Sequence, residues 1–208
     1  DLIYNQINKY LSWKSLASMF AVFHFYEPVF NSKLNQYGVT EELKYLTLIE
    51  SAINGRTISS AGAMGYWQFM PETGKQYGLT RNSYTNDWYN IIASSDAAGR
   101  YLRDSYRSFN DWNLAIVSYN CGSGNVRKAI KKAGSKNFWN LYPYLPKETR
   151  DYIIRFYAMK YISTWGDYHN FYPNQLAYNW DNVIIYFYDG KTTIEKDNWY
   201  YFLNPHIL

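Results

Sequence analysis

From Leu43 through Tyr45, Leu46, Leu48 and Ile49 the chain is apolar around most of a helix's circumference, and the run stops at Glu50. A helix with almost no polar face must be central, wrapped by other elements. Thr40, followed by Glu41 and Glu42, offers an N-cap with first-turn acids, and Gly38 closes the helix before it. Glu50 then falls at the C-terminal end of the buried helix. There the helix dipole and the apolar surroundings both disfavour the ionised carboxylate. A solvated helix-end glutamate is the ordinary case, because buried unpaired carboxylates are rare. The inward-facing Leu46, Leu48 and Ile49 argue against it here.

Apolar residues at helical spacing in Leu2 to Tyr37, such as Leu16, Phe20 and Phe23, predict two helices, with Pro28 starting or kinking a segment. Gly55 to Gly65 reads as a loop with one ordered turn, and Pro71 starts a short helix ending near Gly78. A helix is predicted from Ser94 to Phe109, another capped by Asp111 and running through Tyr119, and one more from Gly124 to Lys132. Pro146 fits the first position of a last long helix through Ile162, which turns Tyr152, Ile153, Phe156, Tyr157 and Met159 inward. Beyond Gly166, Val183 to Tyr188, Asp189-Gly190 and Thr192 to Ile194 carry a hairpin signal. The fold class is therefore all-α with a short β-hairpin-like C-terminal extension. The expected division is 1–36, N-terminal helices packing on the core; 37–165, the main domain; and 166–208, the extension.

The 208 residues can bury a substantial core. Their charged fraction is only 18%, whereas aromatics reach 21%, with 24 Tyr and 8 Trp. Each buried Tyr or Trp needs a partner for its polar atom, so some rings are expected to line a groove. Aromatic faces suit nucleobases and the apolar faces of sugars alike. The net charge of +4 comes from scattered Lys and Arg rather than a stripe, so no nucleic-acid partner is expected. The largest apolar run, Met19 to Phe23, is too short to span a bilayer, and no transmembrane segment is expected. Cys121, the only cysteine, excludes an intrachain disulfide or a cysteine-based zinc cluster. No metal or cofactor is expected.

A glutamate kept protonated near neutrality by apolar surroundings suits general-acid attack on a glycosidic oxygen. Most glycosidases use two carboxylates, about 5 Å apart for retention and roughly 6.5 to 9.5 Å for inversion. Glu72, Asp87, Asp96 and Asp111 are available, but each reads more simply as a cap or surface charge. One carboxylate suffices if the substrate supplies its own nucleophile, as a 2-acetamido group can.

Five segments occur in order: Glu50-Ser51, Gly62 to Gly74 containing Tyr66-Trp67-Gln68-Phe69-Met70-Pro71, Ala97-Ala98 with Tyr101-Leu102, Ser118 to Gly122, and Glu148 to Tyr152. Together, over about residues 37 to 162, they resemble the motif set of the lytic transglycosylases of the soluble Slt type, and Trp67-Gln68 resembles the membrane-bound MltD branch in particular. The resemblance implies a lysozyme-like helical domain over 37–165 that cleaves the β-1,4 bond between N-acetylmuramic acid and N-acetylglucosamine in peptidoglycan strands. It implies 1,6-anhydro products, with Glu50 as sole acid and base. Ser59, Gln68, Met70, Tyr119, Asn120, Glu148 and Tyr152 would bind the substrate, Tyr119 and Asn120 standing opposite Glu50.

Plainer roles exist for three of these: Met70 as core, Tyr152 as an inward helix tyrosine, Glu148 as a first-turn charge. Asn86 to Asn90 departs from the acidic-Arg-acidic pattern of many relatives, so a missing ion pair and a locally different loop are expected. A goose-type lysozyme that admits water and a non-catalytic glycan-binding module are the alternatives. The implied setting is a monomer in the periplasm or cell envelope of a bacterium, anchored, if at all, through a segment outside this sequence.

Overall fold

The computed structural model describes residues 1–174 and two strands, 185–188 and 191–194. Helices α1 (Leu2–Leu11) and α2 (Leu16–Asn35) precede a 3-10 helix (Glu41–Tyr45) that runs into α3 (Leu46–Ser51). A long loop leads to α4 (Pro71–Gln76), then α5 (Ile91–Phe109), α6 (Trp112–Cys121), α7 (Ser123–Ala133), α8 (Phe138–Leu141) and α9 (Lys147–Trp165). Strands β1 (Ile185–Tyr188) and β2 (Lys191–Ile194) pair antiparallel with Ile185 opposite Ile194. This is the expected hairpin; its Asp189-Gly190 turn lies outside the described residues.

The central segment is where the sequence places it, since every residue from Leu43 to Leu48 is buried. It is built in two pieces, and Thr40 starts it through its backbone carbonyl, which accepts from Leu43 N, with no side-chain cap. Helices α1 and α6 pack on α9, and α2 packs on α5, so one continuous core runs from Ile7 to Ile162.

Four local expectations are corrected. The break between the first two helices falls at Ser12 to Ser15, and α2 continues through Pro28. Burial of Phe23, Tyr26, Phe30 and Leu34 on both sides of the proline outweighs the one backbone hydrogen bond it removes. Helix α5 begins at Ile91 rather than Ser94, because the Asn90 side chain caps it by accepting from Ile92 N and Ala93 N. Helix α8, absent from the sequence reading, is capped by Asn137 and buries Phe138 and Leu141. Helix α9 continues to Trp165, with Pro146 as its N-cap. Asp111 caps α6 as expected, accepting from Leu114 N.

Lys44 lies inside the central apolar run, only 7% exposed. A buried ammonium is tolerable only with partners. α2 supplies them: Glu27 Oε1 at 2.6 Å and Asn31 Oδ1 at 3.0 Å from Lys44 Nζ. Glu27 also bonds His24 Nδ1 at 3.0 Å, and its carboxyl is lowered to about 2 by the hydrogen bond from His24 and by Lys44, against its partial burial.

Because the folded-state value is lowered, this cluster stabilises the fold above pH 4.5, and the stabilisation disappears as pH falls toward 2. Denaturant titrations across that window are expected to show wild type losing roughly 2 kcal/mol more than Glu27→Gln, after discounting for partial exposure. Equal losses would exclude the cluster as an acid-sensitive tie.

Candidate active site

After Ser51 the chain reverses through Ala52 and Ile53, both non-glycine residues in the left-handed region at φ 51° and 62°. Such a reversal is costly and persists only when its surroundings hold it. Ser51 is one holder, since its buried hydroxyl donates to Tyr66 O at 2.9 Å and so pins the end of α3 to the loop opposite.

That loop is narrow by construction. Ile58 pairs with Met64, and Met64 with Phe69, in a short antiparallel ladder. Gly65 has φ +79°, and a Cβ added there would lie 1.8 Å from Trp88 O, so only glycine fits. Trp67 is fully buried, its Nε1 donating to Ser95 Oγ at 2.8 Å while its carbonyl accepts from Tyr119 Oη at 2.7 Å. The Asn86 to Asn90 segment, where an ion pair was expected to be missing, is tied by hydrogen bonds. Asp87 Oδ2 accepts from Thr80 N at 2.8 Å and Thr80 Oγ1 at 2.7 Å.

Glu50 stands at the end of α3, partly buried, with Oε1 accepting from Tyr152 Oη of α9 at 2.5 Å. Burial pushes its carboxyl up to about 7; the Tyr152 hydrogen bond and the Arg155 guanidinium pull it down, and Glu148 raises it. Burial, reinforced by the Glu50 charge, puts the Tyr119 and Tyr152 hydroxyls well above the usual 10.0, so both remain donors. Glu50 is therefore a carboxyl raised toward neutrality, hydrogen-bonded to one neutral phenol and acting by its charge on a second.

Of the residues singled out in the sequence, Tyr152 touches Glu50, and Tyr119 and Glu148 bear on it electrostatically. Tyr152 is thus more than an inward helix tyrosine. Asn120 Oδ1 accepts from Thr149 Oγ1 at 2.8 Å, which ties α6 to the start of α9 beside Glu148. Gln68, at φ +48°, donates its amide to Thr57 O and Gly65 O at 3.0 and 2.8 Å, so this nitrogen braces the loop. Ser59 closes the loop's turn, its hydroxyl accepting from Ala63 N. Met70 is 43% exposed, which rules out the plain core role. No hydrogen bond links Ser59 or Met70 to Glu50.

The other carboxylates are engaged elsewhere: Glu72 with Lys75, Asp87 with Thr80, Asp96 with Tyr37 and Arg100, Asp111 as a cap. Among the described residues Glu148 alone adds a second carboxylate field at Glu50. Arg155, whose guanidinium carbon lies 5.5 Å from the Tyr152 ring centre, was missed in the sequence. Its position three residues after Tyr152 on one helix was the available signal. Among the described residues no three His, Cys, Asp or Glu side chains gather to hold a metal ion.

The family model described as Transglycosylase SLT domain matches residues 28–142. The membrane-bound lytic murein transglycosylase D of Escherichia coli K12 is 36% identical over 126 residues, covering 58% of this chain and 27% of the relative. A transglycosylase of Enterobacteria phage PRD1 is 35% identical over 82 residues, covering 39% and 29%. The chain thus spans between a quarter and a third of the length of the curated relatives it matches.

Two solved structures share the fold. The 70 kDa soluble lytic transglycosylase of Escherichia coli has a TM-score of 0.58 at 23% identity, over 68% of this chain and 24% of its own. An inactive mutant of the lytic transglycosylase Slt from Pseudomonas aeruginosa has a TM-score of 0.55 at 24% identity, over 71% and 24%. The all-α, lysozyme-like architecture expected from the sequence is the one these structures have.

A carboxyl raised from 4.5 to about 7 opposes folding once it ionises, so Glu50 leaves stability intact below pH 4.5 and erodes it as pH rises to about 7. Glu50→Gln is expected to be more stable than wild type by on the order of 2–3 kcal/mol at pH 8, with little difference at pH 4, in denaturant titrations. A separate test of the loop is Gly65→Ala, expected to cost upwards of ~3 kcal/mol or to abolish folding, read as a lost thermal transition.

Proposed function

The chain belongs to the Transglycosylase SLT domain family, and on that premise we propose that it is a peptidoglycan lytic transglycosylase with Glu50 as its single acid and base. The bond cleaved is the β-1,4 link between N-acetylmuramic acid and N-acetylglucosamine, and the product ends in 1,6-anhydro-N-acetylmuramic acid. The observation that carries this reading is the Glu50 carboxyl at about 7, held by Tyr152, with no second carboxylate similarly raised by burial among the described residues.

Protonated Glu50 gives its proton to the leaving glycosidic oxygen. As the bond breaks, the carbonyl oxygen of the muramic N-acetyl group bonds to the anomeric carbon, so the substrate supplies the nucleophile that a second carboxylate otherwise provides. Ionised Glu50 then takes the proton from the 6-hydroxyl of the same sugar. That oxygen closes on the anomeric carbon, the bond from the acetamido oxygen to that carbon breaks and restores the N-acetyl group, and Glu50 regains its proton without net use of water. One group serves both steps because a value near the working pH populates acid and base.

In this reading Tyr152 orients Glu50 and Tyr119 positions the N-acetyl group. Asn120 and Glu148 face the sugars from α6 and α9, and Ser59, Gln68 and Met70 line the binding loop, Gln68 through its amide oxygen. The unit 37–165 does the chemistry, with 1–36 packed on it and 166–208 as an extension. The enzyme works as a monomer on glycan strands of the bacterial envelope. No described helix is long and apolar enough to cross a membrane.

Purified sacculi digested with wild type are expected to release fragments with anhydro-muramic ends, one water lighter than hydrolytic products by mass spectrometry. Glu50→Gln is expected to slow release by at least about a thousandfold. Equal release by the two proteins would remove Glu50 from the chemistry; reducing muramic ends from wild type would make the enzyme a goose-type hydrolase.

A further inference from the structure

A buried hydroxyl on a helix ordinarily donates to a carbonyl of the preceding turn. Thr47 does so to Lys44 O at 2.8 Å, and Ser94 to Asn90 O at 2.7 Å. Thr149, the third residue of α9 and only 1% exposed, does otherwise. Its hydroxyl reaches across to α6 and donates to Asn120 Oδ1 at 2.8 Å. The start of α9 is thereby tied to one side-chain amide, and the tie decides which way that amide faces.

The direction of the bond follows from its surroundings. A hydroxyl has one proton, and a buried one must find an acceptor for it. Besides Asn120 Oδ1, the Cys121 sulfur lies within reach of Thr149, but burial holds that thiol in its neutral form, and a thiol is a weak acceptor. The proton therefore goes to the amide oxygen, and the Asn120 amide cannot turn over without stranding it. With Oδ1 committed to α9, Nδ2 is directed away from Thr149. Among the described residues Nδ2 has no hydrogen-bond partner, and it is not one of the buried unpaired atoms, so its two protons are open to solvent. Asn120 thus offers a donor, not an acceptor, to whatever lies against it.

We propose that Thr149 is a positioning residue, holding the Asn120 amide so that Nδ2 donates to an acceptor oxygen of the bound glycan. The proposal rests on the reading of Asn120 as facing the sugars. It gives the start of α9 two tasks: Tyr152 holds the acid, and Thr149, one turn earlier, holds the polarity of the α6 wall. With valine at position 149 the amide oxygen loses its donor and turns to solvent, where water satisfies it. An acceptor then meets the oxygens of the glycan, and the two repel.

The test is a double-mutant cycle on the whole chain, with kcat/KM measured on purified glycan strands for wild type, Thr149→Val, Thr149→Ser, Asn120→Ala and the Thr149→Val, Asn120→Ala pair. Thr149→Val is expected to lower kcat/KM about tenfold, and Thr149→Ser, which keeps the proton, to stay within about twofold of wild type. In the Asn120→Ala background Thr149→Val is expected to cost nothing further, because there is no amide left to orient. Proton–nitrogen correlation spectra supply a reading independent of activity: the Asn120 side-chain amide pair, assigned by its loss in Asn120→Ala, should shift in Thr149→Val and stay in place in Thr149→Ser. An unmoved amide pair in Thr149→Val, or the same tenfold loss with and without Asn120, would overturn the proposal and leave Thr149 a packing residue. If Thr149→Val does not fold, Thr149→Ala takes its place in the same cycle. The activity reading fails separately: wild type would then release no anhydro ends, and the amide resonances would still decide the role of Thr149.

Discussion

The hydrogen bond from Tyr152 to Glu50 joins two elements separated by about half the chain, and the site is built around it. Burial is the largest influence on the Glu50 carboxyl and drives it up. The phenol and the Arg155 cation behind it limit that rise, leaving the group near 7. Burial and hydrogen bonding oppose each other here, so the packing of α9 against α3 helps set the protonation of the carboxyl.

The opposite side of the site is held with equal economy. Ser51 fixes the end of α3 to Tyr66, Gly65 lets the loop press on Trp88, and Trp67 spends its ring nitrogen on Ser95 and its carbonyl on Tyr119. The Glu-Ser pair, the glycine-glutamine segment and the Tyr-Asn pair are therefore one structure in three parts. Each contributes polar atoms that hold a neighbouring part: Ser51 on Tyr66, Gln68 on Thr57, Tyr119 on Trp67 and Asn120 on Thr149. A strained, well-supported frame with a buried acid is the expected signature of a site that trades stability for function.

The centrality of the Leu43 to Ile49 run, the Asp111 cap and the existence of the hairpin were legible because each depends on local pattern. Part of what escaped depends on contacts distant in sequence, and part on local backbone geometry that residue type does not reveal. Lys44 in an apolar run is intelligible only once Glu27 and Asn31 arrive from α2. Pro28 signals a break, yet core burial on both sides carries the helix through it. Asn90 was hidden in a segment read as irregular, although its side chain starts α5. At the site, Glu50 and Tyr152 could be singled out by residue type and motif order, but not their direct bond. The turning of the Gln68 amide into its own loop follows from a left-handed backbone that the residue type does not announce.

The central claim is that Glu50 changes protonation near neutrality because of where the fold puts it. Carbon-13 NMR of the glutamate carboxyl resonances, assigned by the loss of one signal in Glu50→Gln and followed from pH 3 to 9, measures this directly. The account predicts a Glu50 midpoint near 7, well separated from the other glutamates. A midpoint near 4.5, the ordinary glutamate value, would contradict it.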